Sequence, residues 1–112
     1  MQQISHLIDG QTVAGKSGNT TAVYNPATGE QTGTLDLASV EEVDHAVASS
    51  KKAFEDWQTV SVAQRTKLLY NFRNLVEANA EEIARRLTAE HGKVNSDAQG
   101  EVARGLENIE FS

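Results

Sequence analysis

Residues 61–91 read SVAQRTKLLYNFRNLVEANAEEIARRLTAEH and contain the longest regular apolar pattern in the chain. Their apolar side chains recur at intervals of three and four residues, which places them on one face of an α-helix. The residues of this stripe are Leu68, Leu69, Phe72, Leu75, Val76, Ala80, Ile83, Ala84 and Leu87. Because no other segment offers as much apolar surface, we expect the rest of the chain to pack on this stripe.

The same segment contains a signal for a break between two helices. One helix over 62–91 would be ~45 Å long, whereas a globule of this chain length has a diameter of roughly 34 Å. Asn79 is a favoured N-cap residue, and Glu82 follows three residues later, as in a capping box. The pattern therefore predicts two consecutive helices, over 62–78 and 80–91.

Composition sets limits on the class of protein. The chain has 112 residues, of which 38% are hydrophobic and 23% charged, as in a single soluble globular domain. It contains no cysteine, which excludes disulfides, thiolate metal sites and a cysteine nucleophile within these residues. The net charge of -6 disfavours binding to nucleic acid phosphates. Since neither a membrane-spanning run nor a signal peptide is recognisable, the cytoplasm is the expected location.

The first third of the chain, residues 1–38, is predicted to form a small antiparallel β layer. Asp9-Gly10 lies between two short β-like runs and is typical of a hairpin turn with two positive φ angles. Strands are expected over 21–24 and 31–37, joined by the turn at Asn25-Pro26-Ala27-Thr28-Gly29. Residues 1–3 are expected to be a frayed start.

The remainder, residues 39–112, is predicted to be helical. Ser39 with Glu42 has capping-box spacing, and the helix that follows has apolar residues at helical intervals. Phe54 and Trp57 share a helical phase, so we expect both to pack in the core. Ser61 repeats the capping device before the central pair. The fold class expected for the chain is α+β, a β layer followed by about four helices.

The end of the central pair and the fourth helix have their own signals. Gly92 is typical of a residue that ends a helix, with His91 beside the negative helix end. Ser96 with Gln99 is predicted to cap a fourth helix, whose apolar face contains Ala98, Val102, Leu106 and Ile109. No stop signal follows Leu106, and acidic residues occupy the last turn. We therefore expect the chain to be part of a longer protein.

Several short motifs resemble those of the aldehyde dehydrogenases. A turn near the start of these enzymes is similar to Asn25-Pro26-Ala27-Thr28-Gly29-Glu30. Their A-F-x-x-W segment is similar to Ala53-Phe54-Glu55-Asp56-Trp57, and the R-x-x-L that follows it is similar to the segment from Arg65 to Leu68. Glu90-His91-Gly92-Lys93 and Asp97-Ala98-Gln99-Gly100-Glu101-Val102 resemble the family's E-x-G-K and D/E-A-x-x-E-V runs. Each motif is short, but their order and spacing extend over residues 6–111.

The end of the chain resembles one branch of this family. Arg104-Gly105-Leu106-Glu107, followed by Ile109-Glu110-Phe111, is similar to the CoA-acylating methylmalonate-semialdehyde dehydrogenases. Val94-Asn95 departs from the Thr/Pro-Leu that is commoner after Gly-Lys in the family. That departure concerns the branch and leaves the family resemblance intact.

The resemblance implies that the chain is the N-terminal segment of a longer dehydrogenase and does not include its catalytic part. The parent would have a Rossmann-type cofactor domain, use NAD as cofactor and CoA as co-substrate, and form a homo-oligomer. A cysteine thiolate would attack the aldehyde, and Arg104 would bind the substrate carboxylate. This chain has neither a cysteine nor a glycine-rich phosphate loop, so it should bind no cofactor and have no activity alone.

Other interpretations remain open on the residues themselves. Arg104 would equally suit the exposed polar side of the last helix. The parent would alternatively be another NAD(P)-dependent aldehyde dehydrogenase, or the chain a free-standing helical module that binds a partner protein. Glu90 with Lys93 is typical of a solvated helix end. His6, His45 and His91 lack the spacing of a zinc site, so no metal is expected.

Overall fold

The computed structural model describes residues 2–112, which form five short strands followed by four helices. The strands are β1 (Gln2–Ile4), β2 (His6–Ile8), β3 (Gln11–Val13), β4 (Thr20–Tyr24) and β5 (Gln31–Asp36). The helices are α1 (Val40–Trp57), α2 (Val62–Ala78), α3 (Ala80–His91) and α4 (Asn95–Glu110). This order confirms the predicted α+β class. No helix within residues 2–112 is both long enough and apolar enough to span a membrane.

The β2–β3 hairpin forms as its turn sequence predicts. The two strands pair antiparallel, with His6 opposite Val13 and Ile8 opposite Gln11. The turn residues Asp9 and Gly10 have φ angles of 53° and 71°. Both angles lie in the left-handed region that this type of two-residue turn requires.

The three-stranded sheet has the order β1-β5-β4 and contains one pairing that we did not predict. β4 and β5 are antiparallel, but β1 runs parallel to β5, with Gln2 opposite Gly33. The prediction of a frayed start was therefore wrong for Gln2 and Gln3, because β5 offers a free edge that their backbone groups can pair with; Met1 lies outside the described residues. A Cβ atom at Gly33 would lie 2.9 Å from the Gln2 carbonyl oxygen, so this close pairing requires glycine.

The chain divides into two compact units, which we describe separately. The first contains the chain up to Tyr24 together with Gly29–Thr59, and thus the strands and α1. The second contains Asn25–Thr28 and Val60–Ser112, and thus α2, α3 and α4. The division into a β layer over 1–38 and a helical part over 39–112 stays a prediction about domain organisation.

The bounds predicted for α2 and α3 are confirmed, but the capping role of Asn79 is not. The Asn79 side chain makes no cap hydrogen bond to α3, and the residue has φ -108° and ψ 10°. An N-cap residue needs an extended backbone for its side chain to reach the first turn. Asn79 instead ends α2, since its Nδ2 atom donates to the Leu75 carbonyl oxygen at 2.8 Å.

Three of the remaining helix-end predictions are confirmed and one is wrong. Ser39 and Glu42 form the reciprocal capping box of α1, and Ser61 caps α2 by accepting from Gln64 N. Gly92 ends α3 in the left-handed conformation, with φ 81°. Ser96, however, does not cap α4, because that helix already begins at Asn95 and follows Val94, which has no side-chain acceptor.

The buried core is smaller than the sequence pattern predicts. It consists of Ala84, Ala98 and Val102 at the α3–α4 contact, and the partly buried side chains packed against it are Val76, Ala80 and Leu87. The predicted face of α4 is thus confirmed. In the α2 half of the apolar stripe, Leu68, Phe72 and Leu75 remain exposed, with Phe72 50% accessible.

The prediction that Phe54 and Trp57 pack in the core was also wrong. Helix α1 contains no buried residue, and Phe54 is 56% accessible. Helical periodicity identifies a face that is suited to burial, but it does not identify which part of a protein covers that face.

Candidate functional site

Arg104, the predicted substrate-binding residue, lies on the exposed side of α4. Its side chain is 68% accessible, and its Nη2 atom is 3.9 Å from Glu101 Oε1, one turn earlier in the helix. The guanidinium lies back along the helix, because a Cβ atom at Gly100 would be 3.9 Å from Arg104 Nη1. Arg104 therefore carries an accessible cation, and among the described residues a single acid, Glu101, lies loosely beside it.

Glu101 also binds a second cation, Lys93. Lys93 is in the connection between α3 and α4, and its Nζ atom donates to Glu101 Oε1. The Lys93 side chain is only 17% accessible, so this pair is less exposed to water than the Arg104 contact. The hydrogen bond from Lys93 is the main reason that the pKa of Glu101 lies below its ordinary value.

The sequence did not indicate this pair. Glu90 and Lys93 were interpreted together as a solvated helix end, but Lys93 pairs with Glu101, eight residues later. Lys93 precedes α4 and Glu101 lies inside it, so the helical spacing rule for charged pairs does not apply. The only signal available was that both residues stand in the motifs that resemble the aldehyde dehydrogenase family.

A second polar cluster lies in the unit that contains the strands. The Asp36 carboxylate accepts from Gly15 N at 2.9 Å, from Ser5 Oγ at 3.2 Å and from Gln3 Nε2. The Gly15 N–H is the largest cause that holds the pKa of Asp36 below its ordinary value. These contacts join β1, Ser5 directly after it, the segment after β3 and the end of β5, so the cluster stabilises the β layer.

Glu42 extends this cluster to the start of α1. It accepts from Ser39 N at 2.9 Å and from Lys16 N at 2.8 Å, and these backbone donors lower its pKa. His6 Nε2 lies 3.9 Å from Glu42 Oε1 and has no hydrogen-bond partner among the described residues. The arrangement is a set of structural caps and turns.

The histidines do not form a metal centre. Across residues 2–112, the structure contains no group of three His, Asp or Glu side chains that could hold a metal ion. His6 lies on β2, His45 on α1 and His91 at the end of α3.

One apolar groove of about 800 Å³ runs along α1. Its apolar lining includes Leu7, Val43, Val47 and Phe54. Its polar lining residues include Glu42, Ser50 and Lys51. Such a surface is suited to covering by another apolar surface rather than to chemistry.

Within residues 2–112, the strand-to-helix connection does not have the sequence of a dinucleotide-binding turn. The pyrophosphate of a dinucleotide binds at a glycine-rich turn that leads from a strand into a helix. Within the described residues, α1 is the helix that directly follows a strand, and the connecting residues Leu37, Ala38 and Ser39 include no glycine.

Comparison with known proteins identifies close relatives. The model of the aldehyde dehydrogenase family matches residues 12–112. The chain is 45% identical over 109 residues to malonate-semialdehyde dehydrogenase 2 of Geobacillus thermodenitrificans, and the aligned region covers 97% of this chain and 23% of that protein. It is 42% identical over 112 residues to malonate-semialdehyde dehydrogenase 2 of Geobacillus kaustophilus, covering 100% of this chain and 23% of that protein.

Solved structures agree with these relatives. A Sinorhizobium meliloti protein assigned as a methylmalonate-semialdehyde dehydrogenase, in complex with NAD, matches 99% of this chain and 23% of its own with a TM-score of 0.96 and 42% identity. The methylmalonate-semialdehyde dehydrogenase of Oceanimonas doudoroffii matches 99% of this chain and 22% of its own, with a TM-score of 0.95 and 41% identity.

The chain thus spans less than a quarter of the length of the relatives that it matches. The predicted resemblance to the aldehyde dehydrogenases, and to their methylmalonate-semialdehyde branch, is confirmed by these similarities. The chain belongs to the aldehyde dehydrogenase family.

Proposed function

We propose that this chain is the N-terminal part of an NAD-dependent, CoA-acylating semialdehyde dehydrogenase whose substrate is malonate or methylmalonate semialdehyde. The overall reaction would convert semialdehyde, CoA and NAD into acyl-CoA and NADH. The observation that carries the proposal is the 42% identity and TM-score of 0.96 to a protein of this type in complex with NAD, over 99% of the chain.

Within this proposal, residues 1–112 have no catalytic group of their own. Family chemistry requires a thiolate nucleophile, and the chain contains no cysteine. The connection between β5 and α1 also lacks the glycine-rich turn that binds a cofactor's pyrophosphate. NAD and CoA would therefore bind to the remainder of the longer protein. The contribution of this chain would be structural, apart from one side chain.

That side chain is Arg104, which we propose binds the carboxylate of the semialdehyde. A planar guanidinium can make two parallel hydrogen bonds to a carboxylate, which fixes both position and orientation. The accessibility of Arg104 and its loose contact with Glu101 support this role, because most of its donors are available. We further propose a cytoplasmic homo-oligomer, as the resemblance implies.

The test uses the full-length protein that contains this chain. Purified protein should reduce NAD in the presence of methylmalonate or malonate semialdehyde, and acyl-CoA should form only when CoA is present. Mass spectrometry distinguishes acyl-CoA from a free acid. The isolated 1–112 chain should produce no NADH under the same conditions.

Other outcomes would identify the alternatives. Equal NAD reduction without CoA, giving a free acid, would indicate another NAD(P)-dependent aldehyde dehydrogenase. No oxidation of any aldehyde by the full-length protein would favour a helical protein-interaction module. NAD reduction by the isolated chain would contradict the assignment of the chemistry to residues outside it.

A further inference from the structure

We propose that Lys93 sets the affinity of the enzyme for carboxylate-bearing aldehydes, by binding Glu101 and so keeping the Arg104 guanidinium available. The inference rests on the proposed function of Arg104 as the carboxylate-binding residue. It assigns a positioning role to Lys93, which acts through Glu101 and does not touch the substrate.

The structural basis is a single oxygen atom that faces two cations. Glu101 Oε1 accepts a hydrogen bond from Lys93 Nζ, and the same oxygen lies 3.9 Å from Arg104 Nη2. The first contact is a charge-assisted hydrogen bond, whereas the second exceeds hydrogen-bond distance. Glu101 therefore binds Lys93 in preference to Arg104.

Burial favours the same partner. The Lys93 side chain is 17% accessible and that of Arg104 is 68% accessible. Water and salt screen the Arg104 contact more strongly, so the Lys93 contact is the stronger of the two. The lowered pKa of Glu101 keeps this carboxylate ionised at neutral pH.

Removal of Lys93 would leave an ionised Glu101 with one cation beside it. Glu101 and Arg104 are three residues apart on α4, a spacing at which their side chains can form a direct pair. Because a glycine occupies position 100, no side chain there obstructs the guanidinium. Glu101 would then compete with the substrate carboxylate for the donors of Arg104.

The experiment measures steady-state kinetics of the full-length enzyme with two aldehydes. Lys93→Met should raise KM for methylmalonate semialdehyde about two- to fivefold, the effect of one partly exposed ion pair. The KM for propanal, which lacks the carboxylate, should change less than about twofold by the same reasoning. Lys93→Arg is the matched control, since it keeps the cation and should retain the parent KM for both aldehydes.

The double variant Lys93→Met/Glu101→Gln decides whether Glu101 carries the effect. The uncharged amide introduced by Glu101→Gln competes poorly with the substrate for Arg104. The KM of the double variant for the semialdehyde should therefore return to near the parent value. Equal losses on both aldehydes, or a double variant no better than Lys93→Met, would overturn the inference. Thermal unfolding of each variant confirms that the fold is retained.

A variant that folds poorly does not leave the inference untested. Glu101→Gln alone should leave KM for the semialdehyde unchanged or lower, and an increase would contradict the competition. A failure of the proposed function can be recognised separately. If Arg104 does not bind the carboxylate, Arg104→Ala should change the kinetics of the semialdehyde and of propanal equally, or change neither. In that case Lys93 has no carboxylate-binding residue to act upon, and the inference fails with it.

Discussion

Two ionisable residues, Arg104 and Asp36, illustrate how differently a charged side chain can be used in this chain. Arg104 has one loose acidic neighbour and an accessible guanidinium, which suits recognition of an external carboxylate. Asp36 accepts from one backbone N–H and two side chains, which suits a structural role. Each arrangement predicts a distinct response to substitution.

Arg104→Ala in the full-length enzyme should impair the carboxylated substrate selectively. A charge-assisted pair of about 1.5–3 kcal/mol would be lost, which corresponds to roughly a ten- to hundred-fold fall in kcat/KM for methylmalonate semialdehyde. Propanal should be oxidised almost as well by the variant as by the parent. Arg104→Lys should restore activity only in part, because an ammonium cannot reproduce the two parallel bonds. Equal losses on both aldehydes would show that Arg104 supports the fold instead.

Asp36 should make the stability of the β layer depend on acid pH. Its pKa in the folded chain lies below the ordinary value of 3.8, chiefly because Gly15 N donates to the carboxylate. The stabilisation is therefore complete above about 3.8 and is lost as the pH falls through the lower folded pKa. Asp36→Asn should be less stable than the parent at neutral pH, and the difference should shrink below that value. Urea unfolding of both proteins across the acid range measures it; a difference independent of pH would contradict the role of the charge.

The sequence led to a predicted role for Arg104 but to none for Asp36. Arg104 was identified only by resemblance, because an arginine on a polar helix face carries no local signal of its own. The Asp36 and Lys93 contacts were missed because their partners lie far away in sequence: Gly15 is 21 residues from Asp36, and Glu101 eight residues from Lys93. Local spacing rules cannot detect pairs that depend on how elements pack.

At the scale of single elements, local chemistry was a good guide to where helices lie and a poorer guide to what caps them. The bounds 62–78 and 80–91 are those of α2 and α3, and the Ser39–Glu42 box forms as predicted. Ser96 and Asn79 carry the same sequence signal without the bond. The motif fixes the spacing of two residues, but the bond also needs an extended backbone at the cap, which neighbouring residues decide.

The two serines provide a matched test of this distinction. Ser39→Ala removes an acceptor for Glu42 N, so it should destabilise the protein by about 1 kcal/mol. Ser96→Ala makes the same chemical change inside the first turn of α4, where the side chain caps nothing, and alanine is the better helix former. It should be neutral or slightly stabilising. Urea unfolding compares the two variants, and equal losses would contradict the assigned caps.

At the scale of the whole chain, apolar surface exceeds what the described residues bury. Across residues 2–112, only Ala84, Ala98 and Val102 form the buried core, while α1 and α2 expose large apolar side chains. The sequence pattern correctly identified the apolar helix faces, but our expectation that this chain covers them was wrong. The comparison with relatives more than four times longer explains the discrepancy in physical terms, since a face can be patterned for contacts that lie outside residues 2–112.

The exposed surface predicts that the isolated 1–112 chain self-associates. Phe111, which is 92% accessible, is a candidate contact together with Ile109, two residues earlier. The groove along α1 adds Val47 and Phe54, which share one continuous apolar surface. Sedimentation velocity from micromolar to millimolar concentrations should reveal dimers or larger species.

Substitutions can separate the two surfaces that are available for this association. Burial of one large apolar side chain contributes about 1.5–3 kcal/mol, so Val47→Ser/Phe54→Ser should weaken association by at least about tenfold if the groove is the contact. Phe111→Ser should have that effect if the chain end is. Val62→Ser is the matched control, since Val62 is 79% accessible but lies outside the residues that line the groove. A chain that remains monomeric at millimolar concentration would show that these exposed faces do not drive association, because apolar surface that is free to pair would otherwise be removed from water by a second copy.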